Sequence, residues 1–246
     1  MDITTERVEI SLEGGGAMGG YVARPSDDTR RPAVLVFMEI FGVNSHIREV
    51  TERVAREGYV ALAPDYFHRT GPGAEYGYDD EGMASGMKLL GALDADEMIS
   101  DANAAIEYLR DRSYVDGEKI GCMGFCIGGH MTYLIACETD VKAAASFYGG
   151  GIAAPSGPGG KDSTIGRTAK IQGRILCLVG AEDGMIPPDQ IEAIRAALKQ
   201  AGTDHEVVVY DGADHGFFCD QRPTYQEKAA ADAWERVKAL FAAELG

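Results

Sequence analysis

No run of apolar residues in this 246-residue sequence approaches the roughly 18 that a membrane span needs. The opening Met1-Asp-Ile-Thr-Thr-Glu-Arg7 lacks the basic-then-apolar shape of a secretory leader. Positive charge is short: 23 Lys and Arg against 39 Asp and Glu leave a formal net charge of −16 and a sequence pI near 4.7. That balance argues against nucleic acid or an anionic membrane as partner; it reads as a solubility feature or an adaptation to salt. The five cysteines are an odd count, with no Cys-x-x-Cys pair and no Cys/His spacing suited to zinc. They lie in apolar segments, so a reduced, cytoplasmic setting is expected. No internal repeat, low-complexity segment or linker divides the chain. Its length and 45% apolar content suit one α/β domain with a large core.

What the chain does have is centred on Ile120-Gly-Cys-Met-Gly-Phe-Cys-Ile-Gly-Gly-His130. A short apolar run leads into Gly-x-Cys-x-Gly, the nucleophile-elbow pattern with cysteine where serine usually stands. A nucleophile on a strained strand-to-helix turn forces its neighbours two before and two after to be small. Met131 to Ala136 reads as the following helix, whose N-terminus would favour a thiolate at Cys126. Cysteine is most often a buried structural thiol, and the small flanking residues are what set Cys126 apart.

Around this stretch, strands and helices alternate. Val8–Leu12 and Gly20–Ala23 read as an antiparallel edge hairpin, and Ala33–Met38 as a strand covered on both faces. A helix is predicted over 46–57 behind the capping pair Asn44-Ser45, then a strand over 59–63. Tyr66 to about Gly82 reads as a long loop over the site. Further helices are expected over 96–110, 189–200 and 225–245, and strands over 142–148, 174–180 and 205–210. A second loop spans 149–173. The pattern predicts a mainly parallel α/β sheet of about seven or eight strands with helices on both faces. Ligands of such sheets bind beyond the carboxyl ends of the strands. Glu39, Asp65, Cys126, Tyr148, Asp183 and His215 each follow a predicted strand, so they should share one rim.

A cysteine nucleophile needs a base, and the base needs a group to hold its tautomer. His215, between Gly212 and Gly216, is the best placed of the five histidines, with His130 as its rival. Asp183 ends a buried strand about thirty residues earlier, and the order nucleophile, acid, histidine suits this fold; Glu182 and Asp214 are alternatives. The N–H groups of Ile127 and Ile40 are candidate donors to an oxyanion. Glu39, beside that hole, is either a surface acid or a group that hydrogen-bonds Cys126 and alters its protonation.

Met38-Glu-Ile-Phe-Gly-Val-Asn44, Ala63-Pro-Asp-Tyr-Phe-His-Arg69, Gly124-Phe-Cys-Ile-Gly-Gly129, Phe147-Tyr-Gly149, the Asp183 turn and His215-Gly-Phe217 together resemble the dienelactone hydrolase family, in matching order from about Val8 onward. The resemblance implies the α/β-hydrolase fold and a cysteine hydrolase of small esters or lactones. Its Cys126–His215–Asp183 triad would need no cofactor, and Ile40 and Ile127 would be the oxyanion donors. It also implies that Glu39 contacts the resting thiol, and that Tyr66, Arg69 and Tyr148 contact substrate. The chain departs from the family at two arginines that grip a substrate carboxylate: Cys219 and Met83 stand there instead, with Arg69 and Arg222 nearby. That favours a less charged lactone or a small ester. A thioesterase or acyl transferase on the same triad, a non-catalytic ligand-binding protein and a redox-sensing Cys126 paired with Cys122 are the other readings. A monomer or weak homo-oligomer is expected.

Overall fold

A computed structural model describes residues 1–246. Eight strands form one sheet in the order β1-β2-β4-β3-β5-β6-β7-β8. They are β1 (Ile3–Ser11), β2 (Ala17–Pro25), β3 (Arg31–Phe37), β4 (Val60–Pro64), β5 (Val115–Phe125), β6 (Ala143–Phe147), β7 (Arg174–Gly180) and β8 (His205–Tyr210). The hairpin β1–β2 runs antiparallel and β2 pairs antiparallel with β4. Every other pairing is parallel. Both hairpin strands are longer than their apolar cores suggest, because ladder hydrogen bonds carry through the flanking polar residues.

Five helices lie between strands, α1 (Ser45–Arg56), α2 (Asp80–Leu90), α3 (Ala95–Arg110), α4 (Ile127–Glu138) and α5 (Pro188–Ala201), and α6 (Glu227–Leu245) follows β8. Local chemistry sets their ends. The Asn44 side chain accepts from the Ile47 N–H to start α1, and Asp94 accepts from Asp96 and Glu97 to start α3. Pro188 opens α5, and left-handed Gly202 closes it. Strands β4 and β6 are buried at every residue, as their unbroken apolar runs require. No helix is long and apolar enough to cross a membrane.

Two elements depart from the sequence reading. The long loop ends sooner than Gly82, because α2 begins at Asp80 behind an Asp79 side chain that accepts from the Gly82 N–H. The glycines at 82 and 86 masked that helix, and the acidic turn Asp79-Asp80-Glu81 was its only signal. The loop after β6 contains a 3₁₀ segment, Thr164–Lys170. It is tied to α4 by His130 Nε2 with Thr164 Oγ1 at 2.7 Å and Tyr133 with Thr168 at 2.7 Å.

The strand order places the site. From β3 the chain crosses to β4 on one side and then back to β5 on the other. The carboxyl ends of β3 and β5 therefore flank the topological switch point, where such sheets open a crevice.

Candidate active site

At that switch point β5 ends in Phe125, and Cys126 has φ 57° and ψ −120°. Only Cys126 and Tyr148 have positive φ among the non-glycine residues. A β-carbon on Gly128 would stand inside 3.0 Å of the Phe37 and Met38 carbonyls; one on Gly129 would stand equally close to the Phe147 carbonyl. The elbow thus presses α4 against the ends of β3 and β6, and only glycine leaves room. Gly128→Ala is expected to destabilise the fold by about 1–3 kcal/mol, read as a lower urea midpoint with an unchanged m-value.

Cys126 is half-buried, whereas Cys122, Cys137, Cys177 and Cys219 are buried. Burial pushes the thiols of Cys137, Cys177 and Cys219 up to about 12 each, which keeps them protonated and unreactive. Cys122 lies inside β5, fully buried, and its thiol is also pushed up; the redox pairing loses its support.

Asp183 and His215 follow β7 and β8 and meet: Asp183 Oδ2 and His215 Nδ1 are 2.8 Å apart. Both are buried, at 3% and 9% exposure. Asp183 is held in turn by the Met185 N–H at 2.9 Å. Bonded this way, Nδ1 carries the proton and Nε2 is turned inward, buried and without a hydrogen-bond partner. Burial works against charge on this imidazole. Asp183 and Cys126 outweigh it, and the pKa is pushed up to about 10. The rivals are engaged elsewhere. His130 gives Nδ1 to the Gly150 carbonyl and Nε2 to Thr164, and Asp214 accepts the main-chain N–H of His215.

Glu39 is completely buried. Its Oε1 accepts from Arg222 Nη1 at 3.1 Å and its Oε2 from the Tyr78 hydroxyl at 3.2 Å. The sequence leaves Glu39 as either a surface acid or a partner of the Cys126 thiol; it is not at the surface, and its hydrogen-bond partners are the Arg222 guanidinium and the Tyr78 phenol. Arg222 also packs over Phe41 and Tyr78, 5.8 and 5.7 Å from their ring centroids. Nothing in the local pattern around Tyr78 or Arg222 pointed to this contact, which joins residues 183 positions apart.

Tyr148 is fully buried beside the histidine, its ring 5.1 Å from that of His215, and its hydroxyl has no partner. The Tyr66 hydroxyl donates to the Met38 carbonyl; burial and the nearby Cys126 and Glu39 charges push its pKa well up. Ile127 is the first residue of α4, where an N–H has no intrahelical acceptor, and Ile40 follows Glu39 off β3. The structure does not bring Arg69 to this group. Its guanidinium pairs with Asp101 through contacts of 2.6 and 2.9 Å, on the face where α3 packs.

The dienelactone hydrolase family model matches residues 18–245. The chain belongs to the dienelactone hydrolase family. A relative from Synechocystis, named "Putative carboxymethylenebutenolidase", is 49% identical over 245 residues, covering 100% of this chain and 99% of its own. The crystal structure of a "Putative Dienelactone Hydrolase" from Klebsiella pneumoniae superposes with a TM-score of 0.90 at 33% identity, covering 98% of this chain and 99% of that one. A dienelactone hydrolase-like promiscuous phosphotriesterase from metagenomic libraries gives 0.82 at 26% identity, with both chains fully covered. The expected α/β-hydrolase-type fold and family resemblance both hold. As a member of the dienelactone hydrolase family, the chain is an enzyme of the ester and lactone hydrolase class.

Proposed function

We propose that this dienelactone hydrolase family member cleaves a small ester or lactone through a thioester on Cys126, with His215 and Asp183 completing the triad. One observation carries the reading. The buried Asp183–His215 pair leaves an unpartnered Nε2, and Cys126 is among the groups that hold its charge. His215 holds the thiol proton as an imidazolium beside the Cys126 thiolate, and the sulfur attacks the substrate carbonyl. The Ile40 and Ile127 N–H groups receive the oxyanion. Collapse breaks the ester C–O bond, and the departing oxygen takes the proton from His215. Water, deprotonated by His215, then hydrolyses the thioester and returns Cys126 to its starting state. A thioesterase would use the same groups and differ only in the leaving atom. The chain is read as one α/β-hydrolase domain acting in the cytoplasm without a metal or organic cofactor.

Arg222 is the half-buried cation paired with Glu39, and a substrate carboxylate could replace Glu39 as its partner. Arg222→Gln is expected to raise KM for a carboxylate-bearing dienelactone by roughly tenfold or more, while KM for p-nitrophenyl acetate stays close to the parent value. Equal losses on both substrates would remove Arg222 from substrate recognition. The function itself is tested by steady-state hydrolysis of the two substrates; no turnover of either by a folded enzyme would contradict it.

A further inference from the structure

Beside the loop that follows His215, a cleft of about 460 Å³ opens between α1 and α6. Helix α1 lines it with Glu49 and Arg53, α6 with Glu227 and Trp234, and the loop with Phe218 and Asp220. Residues seven apart share a helix face, so Glu227 and Trp234 stand together, with small Ala230 leaving space between them. The cleft is not the active site. From the same loop Arg222 reaches Glu39, whereas Phe218 and Asp220 line the cleft. Arg53 lies over Trp234 and Phe218, 4.4 and 5.3 Å from their ring centroids. Burial there lowers its pKa and Asp220 is the charge that most opposes this, yet the two do not reach ion-pair distance. The remaining acids divide into paired and unpaired. Arg236 takes Asp232, Lys238 takes Glu235, and Gln221 donates to Glu49. Asp220 and Glu227 have no such partner. At the floor His46 is 3% exposed, burial keeps it neutral, and its Nε2 has no hydrogen-bond partner.

We propose that this cleft is a binding site for a free amino acid, with Arg53 receiving its carboxylate, Asp220 and Glu227 its ammonium group, and Phe218 and Trp234 its side chain. The charges decide the class. A simple anion would face two unpaired carboxylates in a chain of net charge −16, and a simple cation would face the unpaired guanidinium. A molecule carrying both signs satisfies all three groups at once, and the guanidinium fork matches a carboxylate in shape. The volume suits a small molecule, and the aromatic wall supplies the apolar surface that such pockets use. The neutral, unpartnered His46 adds a polar group at the floor where a bound molecule ends. No residue of the triad lines the cleft, so the inference stands apart from the nucleophile at Cys126.

The test is a thermal-shift screen of the enzyme with each of the twenty standard amino acids at millimolar concentration. Calorimetric titration of the one that gives the largest shift follows. Saturable binding is expected, with Kd raised roughly tenfold or more in Arg53→Gln and likewise in Asp220→Asn, and unchanged in Cys126→Ala. The N-acetyl and the amide derivatives of that amino acid each lack one charge, and each should bind roughly tenfold more weakly. Hydrolysis of p-nitrophenyl acetate at the parent rate shows that Arg53→Gln and Asp220→Asn are folded. No saturable shift with any of the twenty, or a Kd that Arg53→Gln leaves in place, would overturn the proposal. Binding that Cys126→Ala abolishes would put the ligand in the active site and overturn it as well.

Discussion

Cys126→Ala is expected to lower kcat for ester hydrolysis by roughly three to six orders of magnitude while leaving the fold in place. The loss is that large because the other groups act on the sulfur or on the species it forms. His215 Nε2 has no other partner, and the oxyanion donors meet charge only after the sulfur attacks. What survives is positioning and oxyanion binding, which leaves a small rate above water. The fold should tolerate the change well. The side chain is half-buried, and alanine removes one sulfur atom at a position whose φ of 57° it inherits unchanged. Hydrolysis of p-nitrophenyl acetate, corrected for the rate in buffer, measures the effect; circular dichroism checks the fold.

Asp183→Asn should cost roughly two to four orders of magnitude in kcat. The amide keeps the shape of the carboxylate and loses its charge. It can present its NH₂ to Nδ1, and the proton then moves to Nε2, the atom that must take one from the thiol. The same substitution changes stability in a defined pH window. Folding raises the His215 pKa from the ordinary value near 6.5 to about 10, against the effect of burial and because of Asp183 and Cys126. A raised pKa in the folded state contributes stability in full below the unfolded value, and that stability is lost as pH rises through the folded one. The stability gap between parent and Asp183→Asn is therefore expected to be widest near pH 6 and to close as pH rises through about 10. Urea unfolding at a series of pH values reads it, and a gap independent of pH would show that Asp183 does not stabilise the imidazolium.

The residues that the sequence announced are those whose chemistry depends on local geometry. Gly124, Gly128 and Gly129 mark the elbow because a β-carbon at any of them meets backbone within a few residues of the strand ends. Asp183 and His215 were legible because each follows a strand whose apolar run gives it away, and a parallel sheet brings such positions to one edge. The partners of Glu39 were not legible. Arg222 and Tyr78 reach it from 183 and 39 positions away, across loops whose path no periodicity encodes. Arg69 shows the reverse error. Its position in a motif shared with the family suggested substrate, but its guanidinium is matched in the tertiary structure by buried Asp101. Helix α2 escaped notice because Gly82 and Gly86 read as loop residues. Gly86 is required by the close approach of Ile40, not by a turn.

The central claim is a covalent acyl-enzyme on Cys126. Parent enzyme mixed with p-nitrophenyl acetate and quenched in acid within the first turnovers should show one added acetyl group by intact mass. Peptide mapping should place it on Cys126, and Cys126→Ala should show none. Turnover by the parent without any adduct on Cys126, or an adduct that persists in Cys126→Ala, would contradict the account.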